Sequence, residues 1–495
     1  MKENHSSQNA QESGTSSFTR LRSKLSFERM VEMGAKMGME NPLFLCHERA
    51  AKATTVINGK EYINFSTYDY LDLNTHPEIT EAVTEAAKVF GSSAGASRLV
   101  GGERPPHRQL ERALADFYGV EDCIAYVSGH ATNVSTLGFL FGHRDAIFYD
   151  GLAHNSLMQG ARLSGADRYS YEHNDCDALE KMLKEHRGKH KRACIVTEGL
   201  FSMDGNIPDL PRIIELKKKY DCMLLVDEAH SFGVLGATGR GVHEYFGIDA
   251  NEVDMWMSTL SKAMCGCGGF IAGRKELVEY LKYGSPGFVF SVGMPPIVAA
   301  ACHKALELMQ REPERVHKLQ KISQFFLNYA QEKGLDTGAA QGYAIVPIMV
   351  GDSMVSGFLA TRPQQHDEGH DVGPKDRSHA HIPLHRDRYA LPRREGRGRP
   401  PALLPFRLPH GRTDPQDHRH RGRRDPRGPG DRGEIPPRAP GRTERLVCRT
   451  ARGRAPCPAF FFFPNILPIR GPYAVPPYGL CAALVPPLLR DLRLP

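Results

Sequence analysis

The sequence predicts an α/β protein whose main domain holds a mostly parallel sheet with helices on both faces. The first observation is a series of short apolar runs of strand length. The second is that stretches with helical spacing, such as LEKMLKEHR and LPRIIELKKKY, lie between these runs. Strands that alternate with helices form parallel sheets, because each helical crossover covers one face of the sheet. The predicted strands are IAYVS (124–128), AIFYD (146–150), ACIVTEG (193–199), CMLLVDEAH (222–230), MWMSTLSK (255–262) and GGFIAG (268–273).

Composition divides the chain into parts with different expected behaviour. The first residues are polar and are expected to be disordered. A long helical stretch over 295–334 ends the large domain, and a small α+β domain is expected to begin near Leu335 with one strand, AIVPIMVGDS. The predicted parts are a disordered segment at 1–30, an N-terminal segment at 31–90, a large domain at 91–334, the start of the small domain at 335–360 and a tail at 361–495.

Net charge and cysteine usage exclude several classes of protein. The whole chain of 495 residues carries +7, but residues 361–495 hold 26 Lys and Arg against 13 Asp and Glu, which leaves the rest at −6. The body therefore has no basic character that would favour nucleic acid. The 11 cysteines form no CxxC pair, which favours reduced thiols over a metal site. With no signal peptide or membrane span, we expect a soluble cytoplasmic protein.

Polar residues follow the ends of the predicted strands. Ser128, Asp150, Glu198, Asp227 and Lys262 each end or follow an apolar run. Parallel sheets bind ligands beyond the carboxyl ends of their strands, so these side chains are expected to face a common site.

Two of these residues favour one cofactor. Pyridoxal 5'-phosphate requires a lysine to bind it covalently and a carboxylate to keep its ring nitrogen protonated. Lys262, in TLSKA, would supply the first, and Asp227, in VDEAH, the second. His230 could contact the ring hydroxyl or Asp227. A lone lysine is usually a solvated charge and a lone strand-end aspartate is often a helix cap, but the two together favour a functional pair.

The phosphate of such a cofactor needs hydrogen-bond donors. The SGHATN segment offers a turn and a helix N-terminus with the backbone N–H groups of Gly129 and His130. Thr259 and Ser261 add hydroxyls beside the lysine. In LAHNS, His154 could stack on the cofactor ring, although a buried histidine within the core is the more common case.

Six motifs in this order resemble the α-oxoamine synthase family of pyridoxal-phosphate enzymes. They are GASRLVGGERPPHRQLE, SGHATN, LAHNSLMQGARLSGA, TEGLFSMDGNIPDLP, VDEAHSFGVLGATGRGV and TLSKA, and the resemblance covers roughly residues 45–360. It implies an aminotransferase-like fold of fold type I, with a large cofactor domain and a small domain that is truncated here.

The resemblance also implies roles for individual residues. Lys262 would be the cofactor-linked lysine and catalytic base, and Asp227 would face the ring nitrogen. His230 and Ser202 would lie near the ring hydroxyl, and His154 would stack on the ring. The phosphate would be held by Ser128, Gly129, His130, Thr259 and Ser261, with Ser291 reaching the phosphate of the other subunit in a homodimer.

The implied reaction is a decarboxylating condensation of an amino acid with an acyl thioester to give an α-aminoketone. The thioester would be carried by CoA or an acyl carrier protein. Two alternatives use the same lysine and aspartate, namely transamination and aldol-type cleavage. A third is a catalytically inactive partner subunit, against which the presence of Lys262, Asp227 and His154 together argues. A fourth is a chain that is inactive because its C-terminal domain is lost.

The chain departs from the family near its first strand and in its tail. In TYDYLDL, Asp69 and Asp72 replace an amide and a glycine, and a carboxylate there would repel a substrate carboxylate. The tail lacks the family's closing segment, whose arginine holds the amino-acid carboxylate. A back-translation of the tail in the adjacent reading frame permits that segment, as RLRFFLSASHTDEQI, which indicates an extra base near the codons of Arg362 and Pro363.

We predict that resequencing the DNA at the codons of Arg362 and Pro363 will reveal one extra base. The tail from about residue 363 would then be an out-of-frame product that builds no domain, since 24 of the 35 prolines lie there and interrupt helices and strands. An unaltered DNA sequence, together with a compact and active dimer of the full chain, would contradict this interpretation.

Overall fold

A computed structural model describes residues 26–36, 38, 41, 44–351, 378–379, 449–450 and 453–454. The predicted disordered segment lies outside the described residues as far as residue 25, and a helix, α1 (Ser26–Lys36), begins before its predicted end. The predicted tail lies outside them as well, apart from three two-residue strands. Within the described part of the chain, no helix is long and apolar enough to cross a membrane.

The large domain is built on a seven-stranded sheet, whose strands are β3 (Asp122–Tyr126), β4 (Ala146–Asp150), β5 (Asp167–Tyr171), β6 (Ala193–Glu198), β7 (Met223–Asp227), β8 (Met255–Thr259) and β9 (Gly269–Gly273). Their order in the sheet is β3-β9-β8-β7-β6-β4-β5. Strand β9 is antiparallel to both of its neighbours, and the other neighbouring pairs are parallel. The mostly parallel sheet predicted from the sequence is thus confirmed.

Helices cover both faces of this sheet, because successive side chains of each central strand point to opposite faces. In β7, Leu224 packs with Trp256 in one apolar cluster and Leu225 packs with Val196 in the other. The helices are α2 (Pro77–Phe90), α3 (Pro105–Tyr118), α4 (Gly129–Leu140), α5 (Asn155–Leu163), α6 (Cys176–His186), α7 (Leu210–Lys219), α8 (Val242–Phe246), α9 (Lys275–Gly284), α10 (Pro286–Val289), α11 (Pro296–Arg311) and α12 (Glu314–Glu332).

Smaller elements complete the described chain, which divides into two compact units at residues 1–397 and 398–495. In the first unit, β1 (Thr54–Ile57) and β2 (Lys60–Asn64) form an antiparallel hairpin, and β10 (Ser378–His379) pairs in parallel with β2. In the second unit, β11 (Arg449–Thr450) pairs antiparallel with β12 (Gly453–Arg454).

Three local predictions differ from the structure. The helical stretch at 295–334 is two helices, because Pro313 lacks the N–H that a continuous helix needs. Strand β5 was not predicted, since DRYSY is an edge strand with exposed polar residues and no apolar run. The strand predicted at 344–353 is wrong over residues 344–351, where the described chain provides no pairing strand. There the N–H of Met349 bonds instead to the carbonyl of Asp336 over 2.7 Å.

A buried carboxyl group, that of Glu228, ties the turn after β7 to the start of α8. Its side chain is 0% exposed and accepts the backbone N–H of Val242 over 3.0 Å. It lies against Gly241, where an added Cβ would meet Glu228 Oε2 at 2.0 Å. Burial raises the pKa of Glu228 to about 8, so the folded chain holds this carboxyl neutral where an unfolded chain would ionise it.

We predict that Glu228 makes the chain less stable as pH rises. The pKa of Glu228 is raised on folding, so the stability that its protonated carboxyl contributes is fully present below the unfolded pKa of 4.5. That contribution is lost as pH rises toward about 8. Glu228→Gln keeps an acceptor oxygen but cannot ionise. Thermal unfolding between pH 5 and 8 should therefore show a steeper fall in melting temperature for the starting chain than for the variant. Parallel profiles would contradict the assignment.

Candidate active site

A cavity of about 260 Å³ lies at the carboxyl ends of the central strands. Its position follows from the sheet, because loops leaving parallel strands diverge at that edge and leave a crevice. Every predicted site residue lines the cavity except Ser202 and Ser291, which are half-buried elsewhere. The lining residues are Ser128, Gly129, His130, Asn133, His154, Ser156, Glu198, Asp227, Ala229, His230, Met257, Thr259, Ser261 and Lys262.

Asp227 ends β7 with its carboxylate buried and held on both oxygens. Its side chain is 3% exposed. Oδ1 accepts the backbone N–H of Ala229 over 2.9 Å, and Oδ2 accepts the Nδ2–H of Asn133 over 2.7 Å. Two N–H donors suit an ionised carboxylate, which can only accept hydrogen bonds. The cavity therefore contains a fixed negative group.

Lys262 lies in the turn after β8, in the same cavity. Its Nζ is 5.5 Å from the centre of the Tyr68 ring. Burial lowers the pKa of its amine, although the negative charges of Asp227 and Glu198 act in the opposite direction. A lowered pKa enlarges the neutral fraction of the amine, and only the neutral amine can act as a nucleophile or accept a proton.

Glu198 is a second buried carboxyl group beside Asp227, because β6 and β7 are in register at these two residues. Glu198 Oε1 accepts the backbone N–H of His154 over 2.6 Å. Burial, reinforced by the charge of Asp227, raises the pKa of Glu198 well above its usual range. Two adjacent carboxylates do not both ionise readily in a buried site, so Glu198 is the neutral member of the pair.

Two histidines enter the cavity from different elements. His230 is 8% exposed, and its Nδ1 lies 2.7 Å from the hydroxyl of Tyr70. Burial and the charge of Lys262 keep the pKa of His230 well below its usual value. His154 caps α5, with its Nδ1 2.7 Å from Ser156 Oγ, and burial lowers its pKa too. Both rings are therefore neutral at physiological pH.

The opposite part of the cavity is rich in donors. Ser128 caps α4, whose first backbone N–H groups have no partner within the helix. Gly129 lets the helix approach β8 closely, since a Cβ there would meet Thr259 Oγ1 at 2.8 Å. Thr259 Oγ1 and Ser261 Oγ lie 2.7 Å apart. A helix N-terminus beside two hydroxyls is a site for an anion such as phosphate.

The donor set fits pyridoxal phosphate at both ends. The helix N-terminus and the hydroxyls suit the phosphate, and the Asp227 carboxylate suits a protonated ring nitrogen. Lys262 supplies the amine between them. Within the described residues, no group of three or more His, Cys, Asp or Glu side chains is placed to hold a metal ion.

Sequence reasoning missed several residues that complete the cavity. Asn133 and Ser156 lie within motifs that it singled out, one helical turn into α4 and two residues after His154, so the motif spacing carried the signal. Tyr70, from TYDYLDL, is identified only by its contact with His230 across 160 residues of chain. Glu198 was recognised as a polar strand end but was given no role.

The expectation that Asp69 would repel a substrate carboxylate is not supported by the structure. Its two oxygens accept the backbone N–H groups of Leu73 over 2.9 Å and Asn74 over 3.1 Å, and it does not line the cavity. Asp69 thus caps a turn in which Asp72 adopts φ 54°. Aspartate is one of the few residues other than glycine that tolerate this region.

Comparisons with known proteins agree with this geometry. Residues 60–364 match the family model "Aminotransferase class I and II". An 8-amino-7-oxononanoate synthase of Symbiobacterium thermophilum is 42% identical over 308 residues, 62% of this chain and 78% of that protein.

Two solved structures share the fold. Serine palmitoyltransferase of S. paucimobilis, with bound pyridoxal phosphate and myriocin, is 26% identical with a TM-score of 0.66 and covers 69% of this chain and 88% of its own. The 8-amino-7-oxononanoate synthase of Francisella tularensis is 27% identical with a TM-score of 0.53, over 61% of this chain and 84% of its own. The chain therefore belongs to the aminotransferase class I and II family and, within it, to the α-oxoamine synthases.

Proposed function

We propose that this cavity joins the Cα of an amino acid to the acyl carbon of a thioester, with pyridoxal phosphate as cofactor. The chain is an acyltransferase, and its overall reaction releases the thiol and CO2 and leaves an α-aminoketone. The observation that supports the proposed site most directly is that Lys262, Asp227 and His154 line one cavity together with an anion-binding helix N-terminus.

When bound, pyridoxal phosphate supplies an electron sink for negative charge that develops at the Cα of the amino acid. Lys262 would hold the cofactor covalently and, once the amino acid displaces it, take the Cα proton on Nζ. The lowered pKa of its buried amine supports this second task. Because the amine lies in the cavity itself, the proton it receives would be held close to the reacting carbon.

The other residues hold and orient the cofactor. Asp227 would stabilise positive charge at the ring nitrogen, and His230 would face the ring hydroxyl. Ser202, which lies outside the cavity, is given no contact with the cofactor in this proposal. His154, which is neutral, would lie against the ring face. The remaining contacts, to the phosphate, are assigned to Ser128, Gly129, His130, Thr259 and Ser261.

A homodimer with a shared site is part of the proposal. Ser291 lies outside the cavity of its own chain. This position supports a role for Ser291 in the cavity of a second copy of the chain. Its neighbours Phe290 and Val292 are 84% and 53% exposed, and Val100 is 74% exposed. The hydrogen bond from Gly293 N–H to the carbonyl of Ala96, at 3.0 Å, holds this loop against the segment before Val100. Exposed apolar groups of this kind favour burial against another copy.

Two versions of this function differ in the carrier of the thioester, which is either CoA or an acyl carrier protein. Transamination and aldol-type cleavage remain the rival reactions, because they use the same lysine and aspartate. The family match ends at residue 364, beside the codons where we propose a change of reading frame. Activity therefore has to be measured both on the chain as written and on the chain translated in the restored frame.

We predict that the frame-restored protein releases thiol and CO2 together when it is given pyridoxal phosphate, a mixture of common amino acids and an acyl thioester. Acetyl- to palmitoyl-CoA and the same acyl groups on a carrier protein serve as probes, and mass spectrometry identifies the α-aminoketone. Keto acid or aldehyde formation without thiol release would favour the rival reactions.

Lys262→Ala provides the matched control for this measurement. Borohydride treatment should fix the cofactor on the peptide that contains Lys262 in the starting protein, whereas the variant should lose both this adduct and turnover. Persistence of the adduct in Lys262→Ala would place the covalent link on another residue and refute the assignment.

A further inference from the structure

A chain of four polar groups joins the Asp227 carboxylate to the His154 imidazole. Asn133 Nδ2 donates to Asp227 Oδ2 over 2.7 Å and to Ser156 Oγ over 2.9 Å. Ser156 Oγ lies 2.7 Å from His154 Nδ1. Asn133 is 1% exposed and Ser156 is 0% exposed, so water does not compete for the two bonds that Asn133 makes, whereas His154 is exposed. We call these four residues the buried relay, after its two buried middle members, Asn133 and Ser156.

The hydrogen positions in the buried relay follow from its chemistry. An amide nitrogen carries two hydrogens, and Asn133 uses one toward Asp227 and one toward Ser156. The reversed amide would turn Oδ1 of Asn133 toward the carboxylate, with no hydrogen between the two acceptors. Since Ser156 Oγ accepts from Asn133, its own hydrogen is left to donate to His154.

The hydrogen bonds at Nδ1 of His154 fix the tautomer of its ring. Its Nδ1 receives the backbone N–H of Ser156 over 3.3 Å in addition to the hydroxyl hydrogen. A ring nitrogen that accepts hydrogen bonds carries no proton, so the neutral ring holds its single proton on Nε2. Hydrogen-bond donation therefore runs outward from Asn133, to Asp227 on one side and through Ser156 to the His154 ring on the other.

We infer that Asn133 and Ser156 are positioning residues that hold the Asp227 carboxylate and the Nε2-protonated His154 ring in one fixed arrangement around the cofactor. This inference rests on the proposed function, because it gives both residues a task in the same cavity. Asn133 restrains the carboxylate from one side, and the N–H of Ala229 restrains it from the other. Both residues act through Asp227 and His154, to which they are hydrogen-bonded.

The buried relay makes the effects of its members depend on one another. If Asn133 acts through the negative charge of Asp227, its amide loses that task once Asp227 is replaced by a neutral residue. A side chain that only fills space would cause the same loss in either background. A double-mutant cycle distinguishes these cases, because it measures the coupling between the two positions.

The test measures the dissociation constant of pyridoxal phosphate by absorbance titration of the purified full chain, without turnover. Asn133→Ala should weaken binding about tenfold, as expected for loss of a hydrogen bond to a charged group. The same change in an Asp227→Asn background should alter binding by less than about twofold. Ser156→Ala should weaken binding by about threefold, and Ser156→Thr, which keeps the hydroxyl, should restore most of the affinity.

Thr136→Val is the matched control, because it removes a buried hydroxyl from the same helix outside the buried relay. Its affinity should equal that of the starting chain. Thermal unfolding of each cofactor-free variant identifies any loss that reflects misfolding. Should Asn133→Ala fail to fold, the comparison of Ser156→Ala with Ser156→Thr decides the matter by itself.

Equal losses from Asn133→Ala in both backgrounds would overturn the inference, as would unchanged affinity in Asn133→Ala and Ser156→Ala. In those cases the starting chain still binds pyridoxal phosphate, and the proposed function stands. No binding by the starting chain, with its fold intact, would overturn the proposed function and the inference together.

Discussion

The cavity is organised around one buried negative charge, the carboxylate of Asp227. Burying a carboxylate is costly unless donors compensate it, and here the peptide N–H of Ala229 and the amide of Asn133 do so. The adjacent carboxyl of Glu198 stays neutral beside it, since burial and the charge of Asp227 raise the pKa of Glu198. The net effect is a single anionic group at a defined point, which in our proposal faces a cationic ring nitrogen.

The sheet determines where this charge lies and what faces it. Because β6 and β7 are in register at Glu198 and Asp227, both carboxyl groups reach the same edge. Strand β8 places Lys262 just beyond its end, so the amine shares the cavity with the carboxylates. The close approach of α4, which Gly129 permits, brings the helix N-terminus to the other side. We propose that a cofactor with a phosphate and a basic ring binds between these opposite charges.

Sequence reasoning predicted the features that depend on local pattern. Apolar runs followed by Asp227 and Lys262 were sufficient to place a carboxylate and an amine at one sheet edge, and their motifs identified the family. Prediction from the sequence failed where contacts between distant residues determine the position of a side chain. Asn133 is linked to Asp227 across 94 residues, and Asp69 became a turn cap through bonds that no spacing rule predicts. The polar edge strand β5 was not predicted, because it is defined by its pairing with β4 and its sequence contains no apolar run.

The most direct test of this account is the rate at which Asp227→Asn exchanges the Cα proton of an amino acid for solvent deuterium. Glycine, L-alanine and L-serine serve as probes, with exchange followed by proton NMR on cofactor-saturated protein. Loss of the negative charge should slow exchange by orders of magnitude, since electrostatic partners of this kind contribute several kcal/mol in the transition state. Absorbance should show that the variant still binds the cofactor. Exchange at the rate of the starting protein would contradict the central role of Asp227.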